Sequence, residues 1–123
     1  MDETTFAAWV GRLGRAWEQR DPHAAAALFS PDVVYSADPF AAPLRGRAAV
    51  LAYWQAELAQ HDQVRFESEV IGLAGATGVA HWHTTLTRPG SGARVALDGL
   101  IVARFNQQGE CTSLREWWHS EEE

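Results

Sequence analysis

Phe6, Trp9, Val10, Leu13 and Trp17 recur at intervals of three and four, while Arg12, Arg15, Glu18 and Arg20 take positions between them. That spacing gathers the apolar side chains on one side of a 3.6-residue period and predicts a long amphipathic helix over residues 3–20. Asp21 as N-cap and Pro22 at the first helical position start a second, shorter helix, which Ser30-Pro31-Asp32 stops. Val33 to Tyr35 reads as a short strand, and the following stretch, broken by Pro39, Pro43 and Gly46, reads as loop. A third helix over residues 47–60 sets Val50, Leu51, Trp54 and Leu58 on one face. From Gln63 the period changes to two. Four runs, 63–73, 78–88, 93–105 and 110–119, are separated by AGAT, RPGSG and NQQG, each suited to a hairpin connection. Helices first and an antiparallel meander after them predict an α+β fold whose sheet curls around the long helix.

Alternation sorts the strand residues into two faces. Val64, Phe66, Val70, Ala80, Trp82, Leu86, Val95, Leu97, Ile101, Ala103, Phe105, Leu114 and Trp118 form an apolar face that belongs against the helices. Glu116 falls on that same face, between Leu114 and Trp118, and an acid among apolar neighbours requires a reason. A partner arginine such as Arg45, Arg47 or Arg104 is one reason; a raised pKa for chemistry is the other. The opposite face carries Arg65, Glu67, Glu69, His81, His83, Thr85, Leu100, Val102, Arg104, Arg115, Trp117 and His119, mixed enough to suggest a partner. Asp98 is assigned to it, although Gly99 is a candidate bulge that would shift the register.

With 123 residues and 46% hydrophobic content, the chain is sized for one core, so residues 1–123 are read as a single domain. A net charge of -6 argues against a nucleic-acid partner. No run of apolar residues is long enough for a membrane span and no basic leader precedes one, so the expectation is a cytoplasmic protein without membrane contact. A lone Cys111 agrees with a reducing compartment. His81 and His83 share a face at chelating distance, but only His119 offers a third ligand, so no metal site and no cofactor is expected; no phosphate loop or nucleophile elbow appears either. The terminal SEEE reads as a frayed, solvated tail.

The segment AWEQRDPHAAAALFSPDVVYSADPFAAPLRGRAAVLAYW, four strands and then RFNQQGECTSLREWW together resemble the nuclear transport factor 2-like superfamily, in its SnoaL-like and ketosteroid isomerase-like branches. The resemblance implies a cone: a curved antiparallel or mixed sheet wrapped by three N-terminal helices, the cystatin-like α+β barrel, around a deep pocket and commonly paired as a homodimer through the outer sheet face. It implies a pocket for a small apolar, ring-containing molecule, with Trp17, Tyr35, Phe40, Tyr53, Trp54, Phe66, Trp82, Ile101 and Trp118 as candidate lining residues. Asp38, before Pro39, is similar to the base of ketosteroid isomerases. Their tyrosine and second acid fall here on Leu13 and Ile101, which argues against a steroid isomerase. SnoaL-type cyclases place a catalytic aspartate on the last strand, seven residues after the hairpin glycine, and seven after Gly109 is Glu116. The Asp, Arg, Asp relay of limonene-type epoxide hydrolases cannot be assembled, since Arg94 and Asp98 fall on the outer face. The resemblance therefore implies either a cofactor-free isomerase or cyclase working through Asp38 and Glu116, or a non-catalytic ligand-binding or dimerisation module.

Overall fold

The computed structural model describes all residues, 1–123. Helix α1 (Glu3–Glu18) begins where the Asp2 carboxylate accepts the Thr5 N–H at 2.7 Å, and α2 (Pro22–Ala26) where Asp21 accepts the Ala24 N–H at 3.0 Å. Strand β1 (Phe29–Ser36), the two-residue β2 (Leu44–Arg45) and helix α3 (Arg47–Leu58) follow. The chain then runs through β3 (Asp62–Ala74), β4 (Thr77–Thr87), β5 (Arg94–Phe105) and β6 (Cys111–Glu122). All six strands join one sheet in the order β2-β1-β6-β5-β4-β3, antiparallel except for β1 beside β6.

The helical stripe predicted for α1 is the buried one: Phe6, Trp9, Val10, Leu13 and Trp17 all lie in the core, with α1 laid chiefly on β3. Trp9 meets Phe29 and Phe105 edge-on at 5.6 and 5.1 Å, which ties α1 to both halves of the sheet. Phe66 stacks on Trp82 and occupies the space a side chain at position 14 would need, so only glycine allows α1 to lie this close to β3. Cys111 is fully buried, and burial pushes its thiol up to about 12, so it is an inert core residue.

Several local expectations differ from the structure: α2 ends at Ala26, ahead of Ser30-Pro31-Asp32, which lies inside β1, and Leu44–Arg45 forms β2 within the expected loop. Strand β1 runs over eight residues, longer than Val33 to Tyr35, because it pairs in parallel with β6, Tyr35 opposite Leu114. Such long-range pairing leaves no trace in local periodicity. The tail is not frayed: Glu121 and Glu122 continue β6 opposite Ala96 and Val95. Gly99 forms no bulge, since β4 and β5 pair without a register shift through it. It is glycine because the Trp117 carbonyl and the Trp118 and Trp82 side chains close over the place where a Cβ would stand.

Candidate functional site

Between the helices and the inner face of the sheet lies a cavity of about 330 Å³. Trp17 from α1, Tyr35 from β1, Tyr53 and Trp54 from α3, Trp82 from β4, and Glu116 and Trp118 from β6 all line it. Its aromatic wall is interlocked: Trp17 meets Trp54 and Trp82 edge-on at 5.7 and 5.5 Å, and Tyr53 tilts against Tyr35 at 5.5 Å.

Glu116 is the acid that strand alternation set on the apolar face, and the cavity is what it faces. It enters no ion pair. Arg47 instead holds the Phe29 carbonyl at 2.7 Å and Glu110 at 3.0 Å. The one side-chain hydrogen bond Glu116 receives is from the Tyr35 hydroxyl, at 3.1 Å on Oε1. Burial disfavours its charged form, the Tyr35 bond opposes that only in part, and the Glu57 charge adds to it, so the carboxyl is pushed up to about 7. Burial, with the Glu116 charge second, raises the phenols of Tyr35 and Tyr53, which therefore stay protonated donors.

A second polar group enters from α3 and the turn after it. Glu57, Gln60 and His61 line the cavity, as does Arg88 from beyond the end of β4. The Trp17 indole N–H donates to His61 Nδ1 at 3.0 Å, so the proton of the neutral ring sits on Nε2, 3.7 Å from Glu57 Oε2. Burial, then the Arg88 and Arg20 charges, lower the His61 pKa and keep that ring neutral. Burial raises Glu57. These residues escaped the sequence reading, which followed the apolar face of α3. The signal was present: Glu57 stands three residues after Trp54 and four after Tyr53, on their flank of the helix.

Other expected wall residues lie elsewhere. Phe40 is 98% exposed on the loop after β1. Ile101, paired directly with Glu116, is buried in the core and does not reach the cavity, and neither does Phe66, which is held between Gly14 and Trp82. Asp38 is also outside: its carboxylate accepts the Phe40 N–H at 2.9 Å in a tight turn. It shares with Glu116 only a shallower groove beside Trp117 and His119. The loop bends away from the sheet after Ser36, where β1 stops pairing, and carries Asp38 with it.

On the outer face Asp98 accepts hydrogen bonds from His81 Nε2 at 2.9 Å and His83 Nδ1 at 2.8 Å, while His81 Nδ1 lies 3.3 Å from Glu69. The two imidazoles turn toward one carboxylate, and no group of three or more His, Cys, Asp or Glu is arranged to hold a metal ion.

A mixed six-stranded sheet packed with three helices defines a small α+β protein. Residues 10–114 match the SnoaL-like domain, and the chain belongs to that family, within the nuclear transport factor 2-like superfamily. Among curated relatives, a steroid Delta-isomerase of Nocardioides simplex is 29% identical over 98 residues, spanning 79% of this chain and 76% of that protein. Two solved structures share the fold. SalBIII, an epoxide hydrolase/cyclase-like enzyme of pyran ring formation in polyether salinomycin, superposes with a TM-score of 0.82 at 20% identity, covering 96% of this chain and 93% of its own. A computationally designed 17-OHP binder superposes with a TM-score of 0.79 at 20% identity, covering 94% and 95%. No helix is long and apolar enough to cross a membrane.

Proposed function

We propose that this protein is a cofactor-free isomerase or cyclase that binds an apolar, ring-containing molecule in the cavity and uses Glu116 as its proton carrier. The observation that carries the reading is the state of Glu116: a carboxyl in an aromatic cavity, hydrogen-bonded by Tyr35 and pushed up to about 7. At neutral pH such a group is present both as acid and as base, the condition under which proton transfer is most effective. In the neutral form it donates to a ligand carbonyl or ether oxygen. In the ionised form it takes the proton back, supported by the Tyr35 hydroxyl. The aromatic wall supplies apolar contact for rings and excludes water.

The isomerase and cyclase activities of relatives support the reaction class. Asp38, the other carboxylate implied by the family resemblance, is assigned to the turn that shapes the loop beside Glu116. We also take residues 1–123 as one domain, cytosolic on the strength of its lone buried cysteine, and pairing with a second copy through the outer face, where Leu100 and Trp117 are exposed.

The second reading is a non-catalytic binding module. It is favoured by Leu13 and Ile101, both buried, at the positions of the isomerase tyrosine and second acid. Ring-containing ketones, phenols and small terpenoids, screened by thermal shift and then for conversion, distinguish the two. The enzyme reading requires turnover that Glu116→Gln lowers by about 10²-fold or more while ligand binding persists, and that Asp38→Asn leaves in place. Binding without conversion by the wild-type protein moves the assignment to the binding module.

A further inference from the structure

Of the six large apolar side chains that the surface exposes, four, Phe40, Leu100, Trp117 and Trp118, line a single groove of about 630 Å³. Exposed apolar residues scattered singly are ordinary, but a cluster of them along one groove marks a binding surface. The strand pairing explains why the groove exists. β1 pairs with β6 only as far as Ser36 opposite Arg115, whereas β6 runs on beside β5 to Glu122. No other strand takes the place of β1, so from Glu116 onward that edge of β6 is uncovered. The cavity and the groove meet there, since Glu116 and Trp118 line both.

We propose that the groove is a second subsite for the cavity's ligand: the ring lies in the cavity, and an uncharged alkyl or alkenyl chain crosses the free edge of β6 to lie between Phe40 and Trp118. This rests on the reading of the cavity as the site of a ring-containing molecule. Phe40 is 98% exposed and packs on nothing in the protein, so nearly all of its apolar surface is left to bury on a ligand. Its backbone is already fixed, because the Asp38 carboxylate accepts the Phe40 N–H at 2.9 Å, and the ring is held at the groove without further ordering of the loop. That gives the Asp38 turn a part in binding. Asp38 and Asp98 also line the groove, and Asp98 is held ionised by the hydrogen bonds from His83 and His81. An anionic chain meets these carboxylates and is repelled, so the chain is uncharged.

The position of the junction fixes where the chain is attached. Glu116 both faces the ligand oxygen in the cavity and borders the groove, so the chain leaves from the atom beside that oxygen. A chain on the opposite side of the ring starts away from Glu116, among the closed wall of Trp17 and Trp54 or the polar side chains of Gln60, His61 and Arg88, and gains none of the groove's apolar contact. Two isomeric ligands of equal apolar area are therefore distinguished by attachment point alone. Leu100 and Trp117 belong also to the face assigned to pairing with a second copy, so the chain is assigned to Phe40 on the loop and Trp118 on the inner side of β6.

The test titrates the full chain by NMR with two series of cyclohexanones, bearing methyl to hexyl chains either on the carbon beside the carbonyl or on the carbon opposite it. In the first series Kd should fall about twofold to fourfold per added methylene over the first four carbons, and the longer members should shift the backbone amides of Ala37, Asp38, Phe40 and Leu100. The second series should show neither effect. Phe40→Ala, at a side chain that supports no part of the fold, should flatten the first series to the slope of the second, and a carboxylate at the chain end should remove the gain. Equal slopes in the two series, or a slope in the first that Phe40→Ala leaves unchanged, overturn the groove assignment and leave the cavity reading standing. If no ketone of either series binds, the cavity reading fails, and this inference with it.

Discussion

Two aspartate-or-glutamate sites on neighbouring strands of one sheet behave in opposite ways. Asp98 on β5 is paired across the ladder with His119, and Glu116 on β6 with Ile101, three pairs further along. Asp98 points outward, accepts from His81 and His83, and those hydrogen bonds hold its carboxyl below the usual aspartate range. Glu116 points inward, has a phenol for a partner and no cation, and is pushed up to about 7. The sheet face decides which groups stand beside each acid, and those neighbours decide its charge. A carboxylate surrounded by donors becomes a fixed charge; one surrounded by aromatic rings becomes a proton reservoir.

The sharpest way to break this contrast is the pH dependence of stability in Glu116→Gln. Because the folded-state value is raised from 4.5 to about 7, the native protein holds this proton more tightly than the unfolded chain does. Stability from Glu116 is therefore full below about 4.5 and is lost as pH rises through about 7. Between these limits, urea unfolding should show the variant gaining up to about 3 kcal/mol relative to wild type. Parallel curves for the two proteins would mean that Glu116 is ordinarily solvated.

The next largest effect is expected at Gly99→Ala, in the strand between the two acids. The added methyl meets the Trp117 carbonyl and two tryptophan side chains, and overpacking of this kind costs about 1–3 kcal/mol by denaturant midpoint. A neutral outcome would show that β5 and β6 can separate there at no cost, and that the cavity wall is soft. Tyr35→Phe should remove a net contribution of about 1 kcal/mol above neutral pH, where Glu116 is ionised, and should move the Glu116 carboxyl midpoint in carbon NMR to higher pH. An unmoved midpoint would detach the phenol from the acid's charge state. The smallest change is expected outside. Asp98→Asn should lower the His81 midpoint, because its main cause of elevation is the Asp98 hydrogen bond, with the melting temperature hardly altered. A large loss of stability from that exposed site would remove the distinction between the two faces.

Much of the scaffold was legible residue by residue. The spacing of Phe6, Trp9, Leu13 and Trp17 identified the buried side of α1, and period-two alternation assigned Glu116 to the inner face and His81, His83 and Asp98 to the outer one. Such patterns are local, and side-chain direction follows from them once the element type is known. The site was legible only in part, because the same alternation puts Ile101 and Trp118 on one face but does not say how deep each lies.

Sequence alone therefore determined the order of the main elements and, for α1 and the meander strands, which face each residue occupies, since backbone geometry repeats every few residues. Tertiary structure decided what depends on elements far apart in the chain: the parallel pairing of β1 with β6 that brings Tyr35 to Glu116, the closure of α1 on β3 through Gly14, and the convergence of Glu57 and His61 on the cavity while Asp38 and Phe40 turn away. The acidity of Glu116 belongs to this second group, because desolvation is a property of everything that surrounds a side chain and of no single stretch of sequence.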